Sequence, residues 1–312
     1  MFSPDDFFGM VTPRARHRTA DRRNMSDSVT LSQRKPEELI AALDRASARC
    51  TTRNGAGETV WRVWGNGLPL VLLHGGTGSW MHWVRNIEDL SRTFMLIVPD
   101  LPGSGESGNP QPPISADSIA ATLAAGLTSI IGDQADLALA GFSMGGLIAG
   151  YLARHIGARA QCLVLVGATG TNAPRGAMTP LKSWRRLPSD AEKAATHRQN
   201  LGILMIHDPG KIDELAVHVQ KINAERSRVR GKHVSHTGAL ADCLPDFQGR
   251  LAGIWGEFDA TAVPYLAERG QRLRQFQPQA SFDIVAGAGH WVQYEASERF
   301  NRRLSELVKA AM

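Results

Sequence analysis

The chain has 312 residues, 43% of them hydrophobic and 21% charged, with a formal net charge of +5. That length and apolar share suffice for one large sheet domain with an insertion, and no apolar run approaches the roughly 18 residues of a membrane span. The basic balance, with a pI near 9.4, is spread over helices and tail without interleaved aromatics, which reads as solvated surface and argues against nucleic acid as a partner.

Residues 1–24 carry five arginines against three aspartates and no apolar core, so they are expected to be a disordered basic leader rather than a signal peptide, with Met25 an alternative start. Glu37–Ala48 predicts a helix, followed by strands over Thr59–Trp64, Pro69–Leu73 and Phe94–Val98. Ser115–Ile131 predicts a long helix. The apolar run Leu137–Ala140 is a strand of the kind buried on both faces, and it breaks at Gly141-Phe142-Ser143-Met144-Gly145-Gly146 into a helix carrying Leu147, Ile148, Tyr151 and Leu152 at helical spacing. Ala160–Val166 is a further strand. From Gly170 to Gly249 the composition turns polar and helical, so 170–249 is expected to be a helical cap inserted into a core of residues 25–169 and 250–312. Within it, Leu201, Leu204 and Met205, then Leu215, Val219 and Ile222, recur at threes and fours; packing and substrate lining are both open to them. Leu251–Gly256 and Ser281–Val285 complete the strands, and Gly287-Ala288-Gly289-His290 leads to a final amphipathic helix.

Three positions in this order suggest chemistry. A serine held on a sharp strand-to-helix turn is presented as a nucleophile, and the flanking glycines are needed because a Cβ there would collide with the opposing chain. The helix that follows points its free amides at Ser143, which favours an oxyanion. Asp259 stands beyond one strand end and His290 beyond the next, where open α/β sheets bind ligands. Chain order serine, acid, histidine is that of the α/β-hydrolase arrangement, with His290 as base and Asp259 fixing its tautomer; Glu257, two residues away, is the alternative acid. The strand Leu70–Leu73 ends in His74-Gly75-Gly76-Thr77-Gly78, where the amides of Gly76 and Met144 are the expected oxyanion donors, with Thr77 an alternative to Gly76. No Gly-Lys-Ser/Thr follows, which removes the phosphate-loop reading. Asp100, before Leu101-Pro102-Gly103-Ser104-Gly105-Glu106-Ser107, is read as structural.

From about Val60 to its C-terminus the chain resembles the α/β-hydrolase superfamily. Its ends are similar to the hydrolases that cleave meta-ring-fission products in aromatic catabolism. The resemblance rests on His74-Gly75-Gly76, Trp80 with Arg85-Asn86-Ile87, Asp100 to Ser107, Ser143 to Gly146, and Gly289-His290-Trp291-Val292-Gln293-Tyr294-Glu295 followed by Phe300-Asn301. It implies an α/β-hydrolase fold, a mostly parallel sheet with helices on both faces and an inserted helical cap, and it implies that Trp291 lines the site. The chain has Phe142 where that family has an asparagine before its nucleophile, and His82 where it has an asparagine after the glycine loop. Its Gly202–Asp208 stretch lacks the arginine that binds the substrate carboxylate there, and such a clamp is what holds a dienoate acid.

The expectation is therefore a serine hydrolase without cofactor or metal, acting through an acyl-enzyme on carboxylic esters of small or aromatic apolar substrates. The alternative is a carbon–carbon bond hydrolase of 2-hydroxy-6-oxo-dienoates, and a silent small-ligand receptor is the alternative from another class. Thr77, Phe142, His82, Met205 and Trp291 are the substrate-binding candidates. Cys50, Cys162 and Cys243 are far apart and odd in number, which favours free thiols and a cytoplasmic setting. A small-molecule substrate is the expected partner, and a homo-oligomer is left open.

Overall fold

The computed structural model describes residues 35–55, 57–229, 234 and 239–312, so the expected leader 1–24 lies outside the described residues. Eight strands form one sheet in the order β1-β2-β4-β3-β5-β6-β7-β8. In chain order these are β1 (Ala48–Asn54), β2 (Gly57–Trp64), β3 (Leu68–Leu73), β4 (Phe94–Pro99), β5 (Leu137–Phe142), β6 (Ala160–Val166), β7 (Arg250–Gly256) and β8 (Ser281–Val285). β2 runs antiparallel to β1 and β4, and every pairing from β4 to β8 is parallel. The helices are α1 (Pro36–Arg45), α2 (Ile87–Leu90), α3 (Ala116–Ile131), α4 (Met144–Ile156), α5 (Asp190–Leu204), α6 (Glu214–Arg226), α7 (Leu266–Phe276), α8 (Val292–Glu295) and α9 (Ser297–Lys309).

The first helix corrects the sequence reading. It ends at Arg45, and Ala48, expected as its last residue, instead opens an edge strand over residues 48–54. β1 alternates half-buried and exposed residues, and the exposed positions include Arg49 and Arg53. Such a short charged alternation is weak evidence of a strand until pairing with β2 supplies the ladder.

The central strands are buried on both faces, and alternation divides their side chains between two cores. Val71, Leu73, Leu139, Leu163 and Leu165 pack with α3, α4 and Leu273 of α7. Leu70, Leu72, Ala138, Ala140, Val164 and Val166 pack with α2 and with Phe300 and Leu304 of α9. Phe142, the last residue of β5, faces this second core together with Trp291.

Two helices, α5 and α6, lie between β6 and β7. α5 begins with a reciprocal cap in which Ser189 and Glu192 satisfy each other's backbone amides. Leu201, Met205 and Val219 are buried in the second core, with Leu204, Leu215 and Ile222 partly buried against it. The insertion is tied to three loops at the carboxyl ends of the strands. Ser79 Oγ lies 2.6 Å from Asn223 Oδ1, with both side chains buried. Trp291 donates its amide to the Met205 carbonyl at 2.6 Å, and Arg228 donates to Asn109 Oδ1 at 2.9 Å and to the Ser107 carbonyl. Among the described residues no helix is long and apolar enough to cross a membrane.

Candidate active site

Ser143 sits between β5 and α4 with φ 54° and ψ −116°, a left-handed φ that costs a non-glycine residue about 1–3 kcal/mol and persists only where its surroundings impose it. The glycines around it are sterically required. A Cβ at Gly141 would lie 2.3 Å from the Gly145 carbonyl oxygen, and one at Gly145 would lie 2.4 Å from that of His74. The Ser143 amide donates to Val166 and its carbonyl accepts from Gly146, at 2.8 and 3.0 Å, which pins the turn to β6 and to its own helix.

His290 is 3% exposed and Asp259 fully buried. Ser143 Oγ stands 3.1 Å from His290 Nε2, and His290 Nδ1 stands 2.9 Å from Asp259 Oδ2. A carboxylate can only accept, so Nδ1 carries the proton and Nε2 is left to accept from the serine hydroxyl. The structure thus brings together the three residues singled out in the sequence. Glu257 is elsewhere: its carboxylate accepts from the Gly287 amide at 2.9 Å, on the outside of the same loop.

Asp259 has a partner that sequence reasoning did not identify. Its Oδ1 accepts from the Thr261 hydroxyl at 2.7 Å and from the Thr261 amide at 2.8 Å, leaving Oδ2 for His290. Burial opposes the charge of Asp259, but attraction to His290 and the bonds from His290 and Thr261 outweigh it and hold the carboxyl below its ordinary range.

The glycine loop lies directly against the nucleophile. A Cβ at Gly75 would fall 3.2 Å from Ser143 Cβ, and one at Gly76 would fall 3.9 Å from Met144 Cβ. Met144 opens α4, where amides have no partner within the helix. Thr77 adopts φ 52° and is exposed beside Gly76. Two buried histidines support the loop from behind. His74 Nε2 accepts from the Leu101 amide at 2.9 Å and Nδ1 donates to the Gly75 carbonyl at 2.8 Å. His82 Nδ1 accepts from the Gly75 amide at 3.2 Å. Both must be neutral to fill these roles, and burial lowers both pKa values, that of His82 strongly and with further repulsion from His74 and His290.

The remaining candidates cluster around His82. Its ring meets Phe142 and Trp291 edge-on at 5.4 and 5.2 Å between centroids. Phe142 in turn lies 4.9 Å from the His290 ring. Trp291 is fully buried, donates its indole N–H to the His82 carbonyl at 2.9 Å and stacks on Tyr294 at 4.2 Å. Met205 is buried, with its carbonyl on the histidine loop. Asp100 anchors a neighbouring turn: Oδ1 accepts from the Trp80 amide, Oδ2 from the Glu106 amide, and the buried Arg62 guanidinium lies 3.3 Å away. A separate cavity of about 500 Å³ opens between α1 and α6, lined by Leu39, Leu43, Val84 and Leu215 and by no member of the serine–histidine–aspartate series.

Among the described residues no group of three or more histidines, cysteines or carboxylates is placed to hold a metal. Burial pushes the Cys162 and Cys243 thiols up to about 12 and Cys50 up to about 11, so none is a thiolate near neutrality.

Residues 69–297 match the alpha/beta hydrolase fold family, and the chain belongs to that family. It is an α/β-hydrolase enzyme, similar to proteins named as 2-hydroxy-6-oxo-dienoate hydrolases and as esterases. It is 27% identical over 302 residues to the 2-hydroxy-6-oxononadienedioate/2-hydroxy-6-oxononatrienedioate hydrolase of Paraburkholderia phymatum, covering 91% of this chain and 99% of that one. It is 27% identical over 281 residues to the 2-hydroxy-6-oxo-6-phenylhexa-2,4-dienoate hydrolase of Burkholderia cepacia, covering 83% and 95%. In fold it is similar to an esterase from Rhodococcus sp. ECU1013, with a TM-score of 0.71 and 22% identity over 86% of this chain and all of that one.

Proposed function

We propose that the chain is a serine hydrolase of carboxylic esters, with Ser143 as nucleophile, His290 as general base and acid, and Asp259 as the group that orients and stabilises the imidazolium. The observation that carries this reading is the unbroken hydrogen-bonded series Ser143 Oγ, His290 Nε2, His290 Nδ1, Asp259 Oδ2, at 3.1 and 2.9 Å. His290 takes the hydroxyl proton as Oγ attacks the ester carbonyl. The tetrahedral oxyanion accepts from the amides of Met144 and Gly76, and its collapse passes the proton to the departing alkoxide. Water, deprotonated by His290, then releases the acid from the acyl-enzyme. The insertion of residues 170–249 acts as the cap over this site, and Phe142, His82, Trp291, Met205 and Thr77 shape the substrate's surroundings.

A second reading is favoured by relatives named as hydrolases of 2-hydroxy-6-oxononadienedioate and of 2-hydroxy-6-oxo-6-phenylhexa-2,4-dienoate. The same three residues would then serve cleavage of a vinylogous diketone. Turnover of p-nitrophenyl esters and of a 2-hydroxy-6-oxo-dienoate, each with Ser143→Ala as control, separates the two. Serine-dependent ester turnover without dienoate cleavage supports the esterase, and faster dienoate cleavage overturns it in favour of the second reading. Ser143→Ala is expected to remove nearly all turnover with an unchanged melting temperature; substantial residual activity would refute the nucleophile. Absence of labelling of Ser143 by a fluorophosphonate would favour a silent ligand-binding protein.

A further inference from the structure

Arg269 of α7 is 3% exposed. Its Nη2 donates to the Thr261 carbonyl at 3.0 Å, while its Nη1 is buried without a partner. No ion pair among the described residues includes it. The nearby acids do not neutralise it by contact. Asp259 spends both oxygens on His290 and Thr261, and Glu268 attracts it only from beyond ion-pair distance. Burial holds the guanidinium below its ordinary range against the attraction of Asp259, and repulsion from Arg175 adds to the effect of burial. A buried cation with a free N–H is costly unless something in its cavity accepts from it.

That cavity exists. It measures about 240 Å³ and is bordered by Arg269, Thr261, Thr169, Thr171, Asn172 and, at an exposed corner, Arg175. The Thr169 hydroxyl is also buried without a partner. Two guanidinium groups and an unused hydroxyl around a space of several water volumes match a small oxyanion, and arginine suits a carboxylate in particular because its fork can donate two parallel bonds. Ser143, His290 and Asp259 do not line the cavity themselves, but residues that line or adjoin it touch all three. The Thr169 amide donates to the Ser143 carbonyl at 3.2 Å, Thr261 holds Asp259, and a Cβ at Gly167, two residues before Thr169, would lie 3.1 Å from His290 Nδ1.

We propose that this cavity is a carboxylate subsite: the substrate carries a free carboxylate that Arg269 and Arg175 receive while its carbonyl lies at Ser143. The kinetic part of this proposal rests on the ester-hydrolase reading, and the binding part does not. The kinetic test compares the p-nitrophenyl monoester of glutaric acid with its neutral counterpart, p-nitrophenyl valerate. The KM of the anionic ester is expected to be lower by roughly 10- to 100-fold, the range for a charge-assisted bond. Arg269→Gln and the exposed Arg175→Gln should each drive that KM ratio toward one, and Arg269→Lys should restore part of it. The binding test titrates glutarate and, separately, inorganic phosphate into Ser143→Ala protein by calorimetry, with and without Arg269→Gln. Glutarate binding that Arg269→Gln abolishes supports the subsite. Phosphate binding with equal KM for the two esters assigns the cavity to a free anion and overturns a substrate role. Equal KM with no binding of either anion overturns the proposal outright. Failure to turn over either ester sinks the esterase reading alone, and the glutarate titration still decides the subsite.

Discussion

Replacing Glu295 by glutamine tests how the histidine loop is held. Glu295 is 3% exposed, and its carboxylate accepts three backbone amides. Oε2 receives those of Gly289 and His207 at 2.7 and 3.0 Å, and Oε1 receives that of Asp208 at 2.7 Å. A carboxylate accepts at both oxygens, whereas an amide presents N–H at one of them. Glu295→Gln therefore loses at least one bond, turns an amide of the insertion or of the loop toward another donor, and strips the charge from the bonds that remain. Bonds to a charged acceptor contribute about 1.5–3 kcal/mol and neutral ones about 1, so the loss is about 3–5 kcal/mol. For a chain of this size that lowers the melting temperature by about 5–8 °C. Because Gly289 precedes His290, kcat for an ester substrate should fall by roughly tenfold or more, as positioning errors of this kind do, with a smaller change in KM. The assays are thermal unfolding by circular dichroism and steady-state kinetics on the same preparation. A melting temperature within 2 °C of wild type together with an unchanged kcat would refute the reasoning, since it would mean that the three amides find equivalent partners without the carboxylate.

Two further outcomes are expected. Asp259→Asn should reduce kcat by up to about 10⁴-fold by disfavouring the tautomer that lets Nε2 accept from Ser143, whereas Glu257→Gln, whose partner is the Gly287 amide on the loop exterior, should stay within a few-fold; the reverse order in a kinetic comparison would transfer the acid role to Glu257. His74 and His82 are buried, with folded pKa values below their unfolded values near 6.5. The unfolded chain thus binds protons that the folded one refuses, so stability is full above about pH 6.5 and falls as pH drops below it, by up to about 1.4 kcal/mol per histidine per pH unit. Urea midpoints between pH 7.5 and 5.5 should show this slope, and His82→Asn, which keeps an acceptor for the Gly75 amide, should remove about half of the histidine contribution; an unchanged slope would contradict the assignment.

The serine turn was legible because its chemistry is local: two glycines, a strand before and a helix after leave few alternatives for six consecutive residues. Asp259 and His290 were legible from their positions after strands, since the parallel sheet delivers all such ends to one edge. β1 was not, because an edge strand with arginines at exposed positions has no periodic apolar face and depends on its pairing with β2. Thr261 reaches Asp259 from two residues away, but the acceptor pattern of Glu295 and the burial of Arg269 were hidden. Each is defined by what approaches it in space: Glu295 meets amides 87 and 88 residues away. The family resemblance marked Glu295 within a motif but said nothing of what its carboxylate holds.

The contacts that hold the insertion share one geometric property. Ser79 to Asn223 joins the glycine loop to α6, Glu295 joins the histidine loop to the end of α5, and Arg228 joins the chain after α6 to the turn beyond β4. The insertion is therefore clasped to three loops at the strand ends, and all three are buried or charge-assisted where it matters for the site. Were the insertion to swing as a rigid body, it would have to break at least one of them, at roughly 1–3 kcal/mol for each buried polar group left unpaired. Residues 171–189, which lie outside helices and strands, are held as well: Asn200 Oδ1 accepts from the Lys182 amide at 2.8 Å and Asn200 Nδ2 donates to the Lys182 carbonyl at 2.9 Å. That segment also contains Arg175 and borders the Arg269 cavity. Because two of the contacts that clasp the insertion run through the glycine and histidine loops, they also hold the geometry on which the Ser143–His290 distance depends.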